Sequence, residues 1–464
     1  MEESKGNSVL DKDRELGSKP IVKLFIKYSM VTLLGMLAQA IMVVFEGIII
    51  GTGLGANGFA IIALFMPLET LNLALGGLFG LGISTMVGIK LGDGDIEGAR
   101  KTFAQGFWFT VITIVTFALL VIIFSHPIAR FLGAPADMQD DLAFMIRIFM
   151  IFYPLCITGQ MLSYVGRVDE KPGLVTWVWT GAAAVSLLEL YLSVIVYKIG
   201  LGGAAVYYGM SIGLFSLLIF YFLFSKKTVL KIHMSDLKMD FGDIGKCLKI
   251  GFPSFLISAS LFIYSIVINN MLSSTGTEMD IAAYGLINGY VLYFVNMFCQ
   301  ALQGGLAPIV SYNFGARNFT RLKDTLTVSN IINFAVMAVL CTAAYFAATP
   351  IISLFAAGDE ELTRVTAAAT KIVIVLGAFG SASGMLSVFY QSVEKVGMAI
   401  LFGICRYTLF ALPLVVILPK VGYGVSGVWY AHPVSDIITG VFCLIFILAE
   451  RKRLGKEALK VQRA

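Results

Sequence analysis

Long apolar runs alternate with short polar or Gly/Pro-rich breaks along almost the whole chain. A helix needs about 20 apolar residues to cross the hydrocarbon core of a bilayer. Cutting at the breaks predicts twelve spans: 24–52, 58–90, 103–125, 142–166, 173–197, 202–225, 247–273, 281–313, 326–348, 362–391, 397–419 and 425–449. The expected fold is an all-α polytopic membrane protein. A cytoplasmic tail would cover 1–23, a linker 226–246 and a second tail 450–464.

The first half of the pattern recurs in the second. Met161, Leu162 and Ser163 return as Met385, Leu386 and Ser387, an offset of 224. Glu170, Lys171 and Gly173 match Glu394, Lys395 and Gly397 at the same offset. Pro127, Gly92 and Thr102 match Pro350, Gly315 and Thr325 at 223; Gly200, Gly202, Val206 and Tyr208 match Gly422, Gly424, Val428 and Tyr430 at 222. A near-constant offset through separate segments marks an internal repeat. Six spans per half, an even number, give both halves one orientation. The expected architecture is therefore two pseudo-symmetric six-helix bundles, 24–225 and 247–449, in a parallel repeat. Such a pair suits alternating access, in which two lobes rock about a cleft.

Composition agrees with lipid exposure: 58% of residues are hydrophobic and 14% charged, against about 25% charged in soluble domains. Charge adds an orientation. With both termini inside, cytoplasmic segments hold 27 of the 34 basic residues, while outer loops hold four: Arg130, Lys198, Arg364 and Lys420. This is a positive-inside distribution. It also accounts for the net charge of +5, so no nucleic-acid partner is expected. The reading is a multi-pass protein of a prokaryotic plasma (inner) membrane.

Several chemistries are excluded. No GxxxxGK[ST] loop is present, so the chain has no ATP motor of its own. Gly53, Gly55 and Gly58 fit GxGxxG, but they fall between two membrane helices with no preceding strand. His126, His233 and His432 are scattered, and the six cysteines are far apart without a CxxC pair. No metal, cofactor, enzyme activity or disulfide framework is expected. The energy source would be an ion gradient.

Ionisable residues inside spans cost several kcal/mol and mark function by default. At about 1.5 Å per residue, Glu46, Glu69 and Glu189 lie roughly 9, 16 and 13 Å below the outer ends of their spans. At least two of these carboxylates are expected to line one cavity, where proton and cationic substrate compete for one charge. Arg406 and Asp436 lie at equal depth in consecutive spans, as a C-lobe polar site or an ion pair. Arg147 and Lys371, repeat equivalents, should snorkel to the outer interface. Gln39, Asn72 and Asn288 are candidates to line a cleft, among many intramembrane amides that otherwise bond between helices. Pro67 would kink its span two residues from Glu69.

These residues resemble a known family. The run Val44–Gly51, followed by Gly53-Leu54-Gly55-Ala56, is similar to the first-span pattern of the multidrug and toxic compound extrusion (MATE) family. Phe314-Gly315-Ala316-Arg317 resembles its loop after span 8. Gly427 to Asp436, with Arg406 and Pro413 upstream, resembles the end of many bacterial members. The likeness covers essentially the whole chain. It implies two six-helix bundles and export of cationic, apolar compounds in exchange for protons or sodium. Glu46 then stands at the family's first-span aspartate, and Glu189 where many members have a span-5 aspartate. Val185 stands where sodium-coupled members often carry an asparagine, and near Leu261 the span-7 glutamate of another branch is missing.

The expected function is a secondary active multidrug exporter, coupled to H+ in preference to Na+, that works as a monomer. A flippase for a lipid-linked precursor is the first alternative, although a polyanionic substrate calls for a basic cavity. A non-transporting membrane protein, such as a receptor or an intramembrane enzyme, is the second.

Overall fold

The structure is a computed structural model that describes residues 14–232, 240–353 and 359–463. The described residues form helices joined by short turns, and they contain no strand. Eleven helices are long and apolar enough to cross a membrane: α1 (Ile21–Gly55), α2 (Leu64–Gly92), α3 (Ile96–Ile123), α4 (Gln139–Val168), α5 (Pro172–Val196), α6 (Leu201–Phe224), α7 (Phe241–Thr275), α8 (Met279–Gly315), α9 (Phe319–Phe346), α11 (Val396–Tyr423) and α12 (Val425–Val461). The twelfth span, α10, is a pair, Glu360–Ile374 and Gly377–Ser392, bent by 48°. In hydrocarbon a backbone can bond only to itself, which explains this all-helical answer.

Three boundaries differ from the sequence pattern. α1 and α2 belong to one helical run whose break is Gly55, at φ 65° and ψ −161°, a conformation open to glycine because it has no Cβ. α10 is bent rather than continuous. α12 runs on past the apolar stretch; its 37 residues span about 56 Å, far more than a hydrocarbon core of about 30 Å.

The chain forms two compact units whose limits are not those of the sequence halves. The first holds the described residues through Ser18 together with Leu34–Phe255; the second holds Lys19–Leu33 and Leu256 onward. The N-terminal part of each half's first helix thus belongs to the unit of the opposite half. Hydrophobicity is blind to this exchange, because either assignment buries the same apolar surface.

Within the first unit α2 and α4 are the innermost helices. α4 lies along α3 and α6, and α5 along α6. Glycine governs the tightest crossings. A Cβ on Gly76 would lie 2.1 Å from the Gln160 side chain, and one on Gly80 would lie 2.3 Å from Tyr164. The start of α7 crosses α2 closer still: a Cβ on Gly82 would be 2.1 Å from the Cys247 carbonyl, and one on Gly251 would be 1.8 Å from that of Leu78. Asp243 fixes this end of α7, accepting from Lys90 Nζ at 2.6 Å and from Thr102 Oγ1 at 2.5 Å.

The second unit repeats the device with other chemistry. α8 lies along α9 and α10, and α12 along α9, α10 and α11. Gly305, the repeat mate of Gly82, faces the start of α1, where a Cβ would be 2.8 Å from the Ser29 nitrogen. Arg321 donates to the Lys19 carbonyl at 2.8 Å and to Asn313 Oδ1 at 3.0 Å. Asn313 is the repeat mate of Lys90. The repeat is also written in the backbone. Left-handed residues recur in pairs: Gly94 with Arg317, Glu170 with Glu394, and Gly200 with Gly422.

Replacing Gly251 by Val should destabilise the protein by about 1–3 kcal/mol, since backbone on the other side of the crossing cannot yield. Thermal unfolding of purified protein in detergent reads this. Gly245→Ala, on the same helix with nothing within 4 Å of the added Cβ, should leave the midpoint unchanged or raise it. Equal midpoints for wild type and Gly251→Val would remove the crossing from the list of constraints.

Candidate functional site

In the first unit four helices bring polar groups to one buried cluster. α1 supplies Glu46, half-buried near its C-terminal end. α6 supplies two consecutive tyrosines. Tyr207 donates its hydroxyl to Glu46 Oε2 at 2.8 Å, and Tyr208 donates to Oε1. Both carboxylate oxygens are therefore held, each by a hydroxyl, with no basic side chain in the pair. α2 supplies Glu69, close enough for its charge to act on Glu46, Tyr207, Tyr208 and Tyr153. Asn72 lies beside the Glu69 carboxyl, and Glu69 Oε2 and the Tyr153 hydroxyl are buried without a hydrogen-bond partner. Gln160 of α4 reaches Asn72 Oδ1 at 3.5 Å.

Aromatic rings wall this cluster. Phe65 meets Phe149 edge-on at 4.9 Å and tilts over Tyr208 at 5.3 Å; Phe149 lies 5.5 Å from Tyr153. Ring faces carry negative potential, so an aromatic and carboxylate lining favours cations. Orphaned buried groups are costly, about 1–3 kcal/mol each, and in native structures they call for an explanation such as a ligand or a titrating proton.

Glu189 stands apart. It is half-buried on α5, with Ser193 as its polar neighbour and Oε2 unpartnered. Among the described residues it makes no hydrogen bond to Glu46 or Glu69. It directly precedes a π-helical stretch, Tyr191–Val196, a distortion common at functional sites. Gln39 is half-buried on α1. Asn288 is exposed in a second π-helical stretch, Ile287–Leu292 of α8.

The second unit holds a different arrangement. Arg406 Nε donates to Asp436 Oδ1 at 2.7 Å and its Nη2 to Oδ2 at 3.2 Å, a two-pronged ion pair in which the carboxylate is 2% exposed. Arg406 sits in a third π-helical stretch, Cys405–Ala411, and its guanidinium lies 5.1 Å from the centre of the Tyr407 ring. Gly380 makes room: a Cβ there would be 2.0 Å from Asp436 Oδ1. Tyr264 and His432 meet beside the pair at 3.4 Å.

Sequence reasoning did not single out Tyr153, Tyr207 or Gln160 for this cluster. Tyr208 carried a signal, its match with Tyr430, although only the first-half residue meets a carboxylate. The glutamates were visible because charge in an apolar run is rare; tyrosine in an apolar run is not.

Residues 34–195 and 253–417 match the MatE family model. The chain belongs to the MatE family. It is accordingly a secondary transporter of the multidrug and toxic compound extrusion class and not an enzyme. The chain is 22% identical over 437 residues to the multidrug export protein MepA of Staphylococcus haemolyticus (strain JCSC1435), covering 94% of this chain and 95% of that one. Identity to MepA of Staphylococcus aureus (strain MSSA476) is 23% over 442 residues, with the same coverage. Among solved structures, a MATE transporter in the straight conformation superposes with a TM-score of 0.88 at 18% identity, covering 95% of this chain and 98% of the other. An outward-facing multidrug resistance MATE transporter of the MOP superfamily gives 0.86 at 19%, covering 96% and 98%. At such identities these structures establish the MATE fold.

The ion pair of this MatE chain makes a stability prediction. Asp436→Asn leaves a buried guanidinium unpaired and should cost about 3–5 kcal/mol. Arg406→Met combined with Asp436→Leu should restore most of the loss in the unfolding midpoint, as for other buried pairs replaced by apolar residues. A double variant as unstable as the single one would show that the pair stabilises the fold outright.

Proposed function

We propose that the protein exports cationic, apolar small molecules in exchange for protons, and that Glu46 and Glu69 of the first unit carry the exchange. One observation supports this reading above the others. Two carboxylates share a buried, aromatic-walled cluster whose polar contacts are hydroxyls and amides, with an orphaned oxygen on Glu69. Two negative charges so close oppose joint ionisation, so one of them takes up a proton unless a cation stands in its place. Proton and substrate then exclude one another, which is the minimum for antiport. Glu189 is proposed as a second protonation point on α5.

Protons are favoured over sodium. Sodium needs several hard oxygen ligands, whereas Val185 offers none one turn before Glu189 and the Glu46 oxygens are occupied by tyrosine hydroxyls. The multidrug export named for the MepA relatives agrees with a cation-accepting, apolar lining. The proposed orientation has both termini cytoplasmic, from the placement of Lys and Arg, and the transporting species is a monomer.

Dye efflux from liposomes holding the purified protein tests the proposal. An imposed pH gradient should move a fluorescent cationic dye, and a sodium gradient alone should not. Glu46→Gln keeps the size but removes the charge; transport should fall by about tenfold or more, the scale of losing roughly 1.4 kcal/mol or more of coupling. Tyr208→Phe should shift the pH midpoint of transport upward, because a hydroxyl bonded to the carboxylate favours its charged form, and losing it raises the proton affinity and slows proton release. Sodium-driven efflux, or full proton-driven efflux by Glu46→Gln, would refute the assignment.

A further inference from the structure

A cavity of about 620 Å³ opens in the second unit at the α9–α10 end, between the short helix Ala348–Ser353 and the first segment of α10. Pockets for small ligands run to about 300–1,000 Å³. Its floor on α10 is Lys371, with Ala367 and Ala368 one turn away and Arg364 a turn further. Thr349 faces them from the short helix.

The cations here are available. Lys371 is half-buried, its ammonium 5.9 Å from the centre of the Tyr345 ring, with no hydrogen bond or ion pair among the described residues. Arg364 pairs with Glu361 at 2.7 Å, but both side chains are more than half exposed, and such surface pairs are worth little. Ser353 and Thr363, also in the lining, donate to backbone carbonyls of Pro350 and Asp359. Thr349 has no hydrogen bond among the described residues. Glu360 stands at the rim, about 16 Å along α10 from Lys371, too far to oppose an anion seated on the lysine.

The repeat supplies an internal control. At the equivalent places the first half carries His126 for Thr349, Asp140 for Arg364, Phe144 for Ala368 and Arg147 for Lys371. There the polar side chains are engaged: Arg147 donates to Ser125 at 2.7 Å, Arg130 donates to Gln139 at 3.0 Å, and His126 lies 3.5 Å from Asp140. The fold therefore does not require an open cationic groove at this place. In the second half Ala368 replaces a ring, Thr349 an imidazole and Arg364 an acid.

The geometry points to a binding site for the phosphate of a membrane phospholipid, in the outer leaflet under the proposed orientation. A soluble phosphate ester shares the anion but not the surroundings. Exposed apolar side chains continue along the same two helices: Val375, one turn from Lys371 on α10, and Phe346 and Val339 on one face of α9. They suit acyl chains, with Lys371, Arg364 and Thr349 around the headgroup phosphate. An ammonium at headgroup depth binds phosphate as a point charge, without the fixed geometry of a bidentate clamp.

Native mass spectrometry of the full-length protein titrated with phosphatidylglycerol tests the site. Wild type should retain one lipid most tightly. Lys371→Met should weaken that binding about five-fold, the worth of one cation near a phosphate surface. Ala368→Phe, which installs the ring of the first half, should abolish the tight lipid while dye transport continues. Unchanged lipid retention by both variants would overturn the site, and displacement of the lipid by inorganic phosphate alone would overturn the phospholipid assignment.

Discussion

Backbone groups in hydrocarbon have no water to bond, and an unmatched one costs several kcal/mol. Every other feature of this protein answers to that constraint. It makes the spans helical, so that each satisfies itself. Helices that satisfy themselves gain little from merely touching, because lipid is as apolar as they are. Contact must then come from close fit, and close fit is where glycine enters. The Gly82–Gly251 crossing and its counterpart at Gly305 bring helix backbones within a distance that any Cβ would forbid. These crossings hold the N-terminal parts of α7 and α1 in the units to which they belong.

The same scarcity of water sets the chemistry. A carboxylate in this environment must find hydroxyls, amides or a cation. Glu46 finds two tyrosine hydroxyls; Asp436 finds an arginine. The two solutions differ in consequence. The arginine neutralises its partner and settles it, whereas hydroxyls leave a charge that a proton or a cationic ligand can still answer. Glu69 and Glu189 each keep one buried oxygen unanswered.

The repeat shows how one frame carries different sites. Left-handed turns, crossing glycines and span order recur at offsets of 222–224. The charged positions do not. Asn269 stands at the repeat position of Glu46, and Leu214 at that of Asp436. Tyr430, the mate of Tyr208, is exposed while Tyr208 is buried against Glu46. The groove beside Lys371 is lined by Ala368 and Thr349, where the other half has Phe144 and His126.

The sequence by itself determined the fold class, the number of spans, the repeat and the family resemblance. Those depend on apolar length, period and residue identity, all of which are local or additive along the chain. It also exposed Glu46, Glu69 and Glu189, because an acid within an apolar run is legible without coordinates. Tertiary structure alone decided which unit holds each end of α1 and α7, that α10 bends, and that Glu46 and Glu69 converge while Glu189 stands apart. It alone decided that Tyr207 and Tyr208 cap Glu46. Convergence depends on helix rotation and crossing, and an aromatic residue reads the same in a pattern whether it faces lipid, core or carboxylate.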